Sequence, residues 1–363
     1  MTQTLTMDRG PSLVAAQRVR ADCVADDRAM LKAAAELMRD LNAASPTIYW
    51  GDLLASCVVG YGALAAAMLL PSPGWAIVAG VVAMFALYRA GSFIHEMTHI
   101  KHSDVAGFRT GWNLLVGIPM LVPSFMYEGV HQQHHVRTRY GTVEDPEYLP
   151  LALMKPWTLP LFVVVSLLAP IALLFRFAVL APLSLLSPTL RTVVVSRYSA
   201  LAINPQFRRR APEGELRRQW VWQEALASVW AITLLTAVAT GFVPVRAFLI
   251  FLAVVSAVAV INQVRTLVAH LWENEGEAMT VTAQYLDTVN VPPPALLPML
   301  WAPVGLRYHA LHHLVPNMPY HALGEAHRRL SAMLGADSPY HRASYPGLPG
   351  LVGRLASSTM RRR

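Results

Sequence analysis

Charge is scarce in this chain: only 14% of its 363 residues are Asp, Glu, Lys or Arg, where soluble domains carry about 25%. With 54% hydrophobic residues and a mean hydropathy of +0.38, that shortage excludes an ordinary soluble domain and points to an integral membrane protein. Cysteine is scarcer still. Cys23 and Cys57 stand far apart, so they offer neither a disulfide framework nor an iron–sulfur spacing. Lysine is limited to Lys32, Lys101 and Lys155, so the net charge of +8 belongs to arginine. In a membrane protein that excess is most simply the cytoplasmic-loop bias that sets orientation, and nucleic acid is not an expected partner. Residues 1–47 are polar and charged, unlike a cleavable signal, and are expected to form a cytosolic N-terminal segment. Within it, residues 25–44 place Met30, Leu31, Ala34, Leu37, Met38 and Leu41 on one helical face. Such an amphipathic helix lies on the membrane or packs under the protein.

Four runs are apolar and long enough to span about 30 Å of hydrocarbon: 49–70, 74–94, 222–241 and 245–263. Short, nearly uncharged links join them in pairs, Pro71-Ser72-Pro73-Gly74 and Gly241-Phe242-Val243-Pro244. This predicts an all-α membrane domain over 48–330, with two hairpins whose tips share the far side, and a cytosolic tail over 331–363. Residues 112–126 are too short to span and contain two prolines, so they read as interfacial or re-entrant. Residues 157–186 form an apolar run interrupted by Pro160, Pro170 and Pro182, expected as a broken interfacial hairpin. The arginine-rich loop at 187–220 is placed in the cytoplasm by the positive-inside rule.

Histidine is abundant but confined. All thirteen lie in 95–135 or 270–341. His95, His99 and His102 follow the second span; His131, His134 and His135 form a second box; His270 follows the last span; His309, His312 and His313 form a third box. On a helix turning about 100° per residue, each box projects its rings from one face. Imidazole in its neutral form is a good ligand for iron, zinc, copper or nickel. Ten such residues beside membrane spans predict a metal site, and His321, His327 and His341 in the polar C-terminal region are not expected to be ligands. His95-Glu96-x-x-His99 also matches the zinc protease signature, but the other boxes have no role in a one-zinc protease.

In order and spacing, H-x-x-x-H at 95–99, H-x-x-H-H at 131–135 and H-x-x-H-H at 309–313 resemble the membrane-bound fatty-acid desaturase and hydroxylase superfamily over roughly residues 45–330. The resemblance implies a four-helix stem capped by a cytosolic helical domain holding two irons, with a ligand at the position of His270. It also implies an asparagine one turn before that histidine, as in acyl-CoA desaturases. Thr266 stands there instead, so coordination of one metal, or a water beside it, is expected to differ. Carotenoid ketolases similarly follow the second box with an Asp-Pro pair, resembling Asp145-Pro146. Asp145 and Glu273 are candidates to accept the second ring N–H of a ligating histidine.

The chemistry implied is oxygen-dependent attack on an unactivated C–H bond of a long apolar substrate. Desaturation of a lipid acyl chain is the leading expectation; hydroxylation or ketolation of a fatty acyl, sphingoid or carotenoid chain is the alternative. The remote alternative is a metal-handling membrane protein, although such proteins place ionisable groups within their spans. Each turnover needs two electrons from an external carrier, such as a ferredoxin with its reductase. Zinc outcompetes ferrous iron at most nitrogen sites, so a purified sample can contain zinc without zinc being the native metal. A bacterial inner membrane, with the site facing the cytoplasm, is the expected location.

Overall fold

The computed structural model describes residues 24–151 and 154–360. The N-terminal segment before residue 24, with Cys23, and the last three residues of the tail lie outside that range. Among the described residues there are helices and isolated backbone bridges but no strand.

Helix α1 (Arg28–Leu41) begins at Asp27, whose carboxylate accepts from the Ala29 and Met30 N–H groups, satisfying donors the helix itself leaves free. Its apolar face, Met30, Ala33, Ala34 and Leu37, packs on Leu311, Leu323, Ala326 and Leu330. Of the two expected placements, the structure therefore adopts packing under the protein.

Prolines then start both arms of a hairpin, α2 (Pro46–Leu69) and α3 (Pro73–Glu96), where a missing N–H costs nothing. At 24 residues each, they extend about 36 Å. They approach closely at Gly60, where a Cβ would meet Leu87 Cδ2 at 2.7 Å. Their outward residues, such as Val58, Leu69, Ile77 and Val78, are exposed. An apolar surface of this extent marks a bilayer face.

Residues 112–126 continue a short helix (Phe108–Trp112) through a widened turn at Asn113–Gly117. The Asn113 side chain ties the segment to Ser124, and Trp112 donates to the Ala90 carbonyl.

The largest departure from the sequence expectation comes next. Residues 157–186 do not break into a hairpin; they form one helix, α4 (Thr158–Ser184), long and apolar enough to cross a membrane. Pro170 sits inside it, and a widened turn at Arg176–Leu180 absorbs the change of direction. That turn buries Arg176 against Glu224, which also binds Arg191. Helix α5 (Pro188–Arg197) follows. The start of α4 packs with Tyr140 and Leu267 through Leu159 and Phe162. Beyond α5, Leu201 N–H donates to the Met126 carbonyl and Ile203 N–H to the Pro146 carbonyl. The segment 158–197 thus leaves and rejoins the same face of the molecule, the one carrying the histidine boxes.

The second long hairpin is α6 (Gly214–Ala239) and α7 (Val245–Ala269). Arg246 at the start of α7 donates to the Met68 and Leu70 carbonyls, so both hairpin tips lie together. Helix α7 runs six residues past the apolar run ending at 263, because Arg265 is buried within the protein. Among the described residues, five helices, not four, are long and apolar enough to cross a membrane.

The remaining helices form the cap: α8 (Val281–Asp287), α9 (His309–Leu314), α10 (Leu323–Met333) and α11 (Leu348–Met360). Leu351 packs with Val268 and Val289. The stretch after 330 is thus part of the cap rather than a separate tail.

Candidate metal centre

Each histidine box sits where a regular element ends. His95 occupies the last turn of α3, and Thr98 Oγ1 closes the next turn onto the His95 carbonyl. His131–His134 is a single helical turn following Gly129 at φ +73°, a conformation that favours glycine. His270 is the extended residue that terminates α7, held by the Leu271 N–H bond to the Asp287 carbonyl. His309, His312 and His313 lie on α9.

These elements bring nine histidines into two groups. His95, His99, His131, His135 and His312 form one; His134, His270, His309 and His313 form the other, with donor atoms within 4.8 Å of one another in each. Nε2–Nε2 distances are 3.0 Å for His131–His135 and His270–His309, and 3.2 Å for His135–His312 and His309–His313. A metal–imidazole bond of about 2.0–2.1 Å places neighbouring donors about 3 Å apart. Both ring nitrogens of His95, with Nε2 of His99 and His134, are buried without any hydrogen-bond partner. Buried polar atoms are rarely left so, and a cation in each group would take one nitrogen from each of these rings.

Electrostatics favour the ligand form. Burial pushes the His99 imidazole down to about 3 and depresses His131, His135, His270, His309, His312 and His313. They therefore stay neutral, as ligands must. For His134 burial acts the same way, but the charge and hydrogen bond of Asp145 reverse it and the net shift is upward.

The Nδ1 sides of three rings are anchored. Asp145, fully buried, bonds His134 Nδ1 at 2.9 Å and accepts from the Gly141 and Glu147 N–H groups. Glu147 bonds His131 Nδ1 at 2.9 Å and accepts from the Tyr127 hydroxyl. Tyr140 links His270 Nδ1 to Asp287. With Nδ1–H held by an oxygen, each ring turns Nε2 toward its group. Burial pushes both Glu147 and Asp287 up to about 7.

Three sequence candidates stand elsewhere. His102 is exposed and belongs to neither group, because α3 ends at Glu96 and the helical register that aligned it with His95 is lost. Glu273 faces Arg354 rather than His270. The Thr266 hydroxyl turns back to the Asn262 carbonyl and enters neither group. Glu96 accepts from the Tyr49 hydroxyl and the Tyr320 N–H, away from the rings, so the protease base has no place here. Sequence reasoning missed Glu147, Tyr127, Tyr140 and Asp287. Only Glu147 carried a signal, two residues after Asp145.

A cavity of about 370 Å³ reaches the centre. Its inner end is formed by His95, His131, His134, His270 and His309, and its walls include Ser92, Val165, Ala169, Leu173, Val255 and Val258.

Long apolar helices ending at a double ring of histidines, with a greasy cavity opening onto it, define an integral membrane oxidoreductase of the histidine-box type that acts on a lipid. The chain belongs to the fatty acid desaturase family, whose sequence model matches residues 72–345. It is 49% identical over 331 residues to a ceramide hydroxylase of Caulobacter vibrioides (strain NA1000 / CB15N), covering 91% of this chain and 94% of that protein.

Proposed function

We propose that the protein hydroxylates a ceramide or a closely related sphingolipid, using two iron ions, O2 and electrons from an external carrier. The observation that carries this reading is the pair of histidine groups at the inner end of an apolar cavity, in a chain 49% identical to a ceramide hydroxylase. That relative moves the weight from desaturation, the first expectation, to its hydroxylase alternative. The balance is C–H + O2 + 2 e− + 2 H+ → C–OH + H2O.

Two irons would be held by His95, His99, His131, His135 and His312 on one side and His134, His270, His309 and His313 on the other, supplying the oxygen activation that an unactivated C–H bond requires. The chain's own residues do the rest. Val165, Ala169 and Leu173 on α4, with Val255 and Val258 on α7, give the lipid chain a dry wall. Asp145, Glu147 and Tyr140 fix the imidazoles so that the metals cannot drift from the bound chain.

The arginine bias supports a centre facing the cytoplasm, and the Caulobacter relative supports a bacterial inner membrane. Arg197, Arg208, Arg210, Arg217 and Arg218 are exposed and supply a basic surface for an acidic donor such as a ferredoxin. Arg209 does not contribute, being buried against the Ser199 and Glu128 carbonyls.

Mass spectrometry of lipids from cells with and without the gene tests the reading. Ceramide gaining about 16 Da, lost in His312→Ala, is expected; a loss of about 2 Da would mean desaturation and would sink it.

A further inference from the structure

One buried cation borders the cavity without a counter-ion. Arg265 on α7 is 8% exposed, lines the cavity and leaves its Nε without a partner. Among the described residues no carboxylate forms an ion pair with it. Glu147, near enough to feel its charge, is committed to His131 and Tyr127. Beside the guanidinium stands the Tyr88 hydroxyl, whose own proton goes to the Trp301 carbonyl. Gln263 also lines the cavity, and its Nε2 is likewise buried and unpartnered. A guanidinium withdrawn from water without a paired carboxylate is costly, and here it faces the space where substrate would lie.

We propose that Arg265 binds an oxygen acceptor in the polar head of the substrate, an amide carbonyl or hydroxyl, and thereby sets which carbon meets the metal groups. This rests on the ceramide hydroxylase reading. The cavity lining divides into polar groups, including Arg265, Tyr88, Gln263 and Thr266, and apolar ones, including Val165, Ala169 and Leu173 of α4. A lipid with clustered oxygens at one end of its chains matches that division. The guanidinium presents a fixed fork of donors suited to two adjacent oxygens. Arg265 lies in the last turns of α7, five residues before His270, which ends that helix, and its charge reaches His95, His270 and His309. An oxygen held there leaves only carbons near the head beside the histidines, so hydroxylation falls close to the head rather than far down a chain.

The test uses the full chain in lipid nanodiscs. Binding of a long-chain ceramide is measured on protein stripped of metal by a chelator, and tandem mass spectrometry then locates the new hydroxyl made by the iron-loaded enzyme. Arg265→Met is expected to weaken ceramide binding about 10- to 100-fold, the scale of hydrogen bonds to a charged group, and to spread the product over several carbons. Arg265→Gln is expected to do the same and serves if the methionine variant does not fold. Unchanged binding with an unchanged single product overturns the proposal. So does wild-type binding of palmitate more tightly than ceramide, which would make the ligand a free carboxylate. Arginine-dependent ceramide binding by a wild-type enzyme that forms no hydroxyceramide would instead defeat the functional reading and leave the binding role standing.

Discussion

Replacing Asp145 by asparagine removes one charge while keeping the side chain's size, at a position with no solvent exposure. The carboxylate takes His134 Nδ1–H at 2.9 Å, Gly141 N–H at 2.9 Å and Glu147 N–H at 2.8 Å. Both carboxylate oxygens reach His134 Nδ1, so an asparagine oxygen in either position keeps the histidine and one amide, while its NH2 faces the other amide donor. One buried donor left unpaired costs about 1–3 kcal/mol of stability. Mutating the residue behind a ligating histidine, here with loss of its charge, costs roughly 10- to 100-fold in metal affinity or activity. The effect should fall on the group containing His134, leaving the five-histidine group loaded. Metal per chain measured by elemental analysis against increasing chelator, with a melting curve, reads both quantities. Wild-type affinity for two metals together with unchanged hydroxylation would refute the role given to Asp145.

Four further outcomes follow from the same geometry. His102→Ala is expected to keep both metals and to change stability by no more than about 0.5 kcal/mol, as exposed substitutions do; loss of a metal would return His102 to the ligand set. Gly60→Val forces a side chain into Leu87 and should lower stability by about 1–3 kcal/mol, the cost of overpacking, visible as a lower Tm with metal content intact. Exhaustive chelation should lower Tm, and ferrous ion should restore it, because an ion that binds only the folded state stabilises it; a Tm indifferent to metal would contradict the double site. Arg217→Glu with Arg218→Glu should slow reduction by ferredoxin at low salt and flatten its salt dependence, and rates insensitive to ionic strength in the wild type would remove the docking face.

The histidine boxes were legible because a metal site demands one residue type at fixed spacings, and nine of the ten expected rings converge. His102 misled because spacing says nothing about where a helix stops: α3 ends at Glu96, and beyond that point a periodicity of 3.6 has no meaning. Asp287 was invisible for the opposite reason. It reaches His270 through Tyr140, so its partners are 17 and 147 residues away and no local pattern encodes them. The two hairpins were readable from hydropathy. The end of α7 was not, since polar residues such as Gln263 and Arg265 look like a helix leaving the membrane, whereas both line an internal cavity. Proline likewise suggested a break in 157–186, yet Pro170 lies within a continuous helix, as membrane helices tolerate.

The most direct measurement is iron X-ray absorption, with iron counting, on protein loaded with ferrous ion under argon. The account predicts two irons per chain, each with a first coordination sphere dominated by imidazole nitrogen, His135→Ala and His313→Ala each weakening a different one. A single iron per chain, or a first coordination sphere dominated by carboxylate oxygen or sulfur, would contradict it.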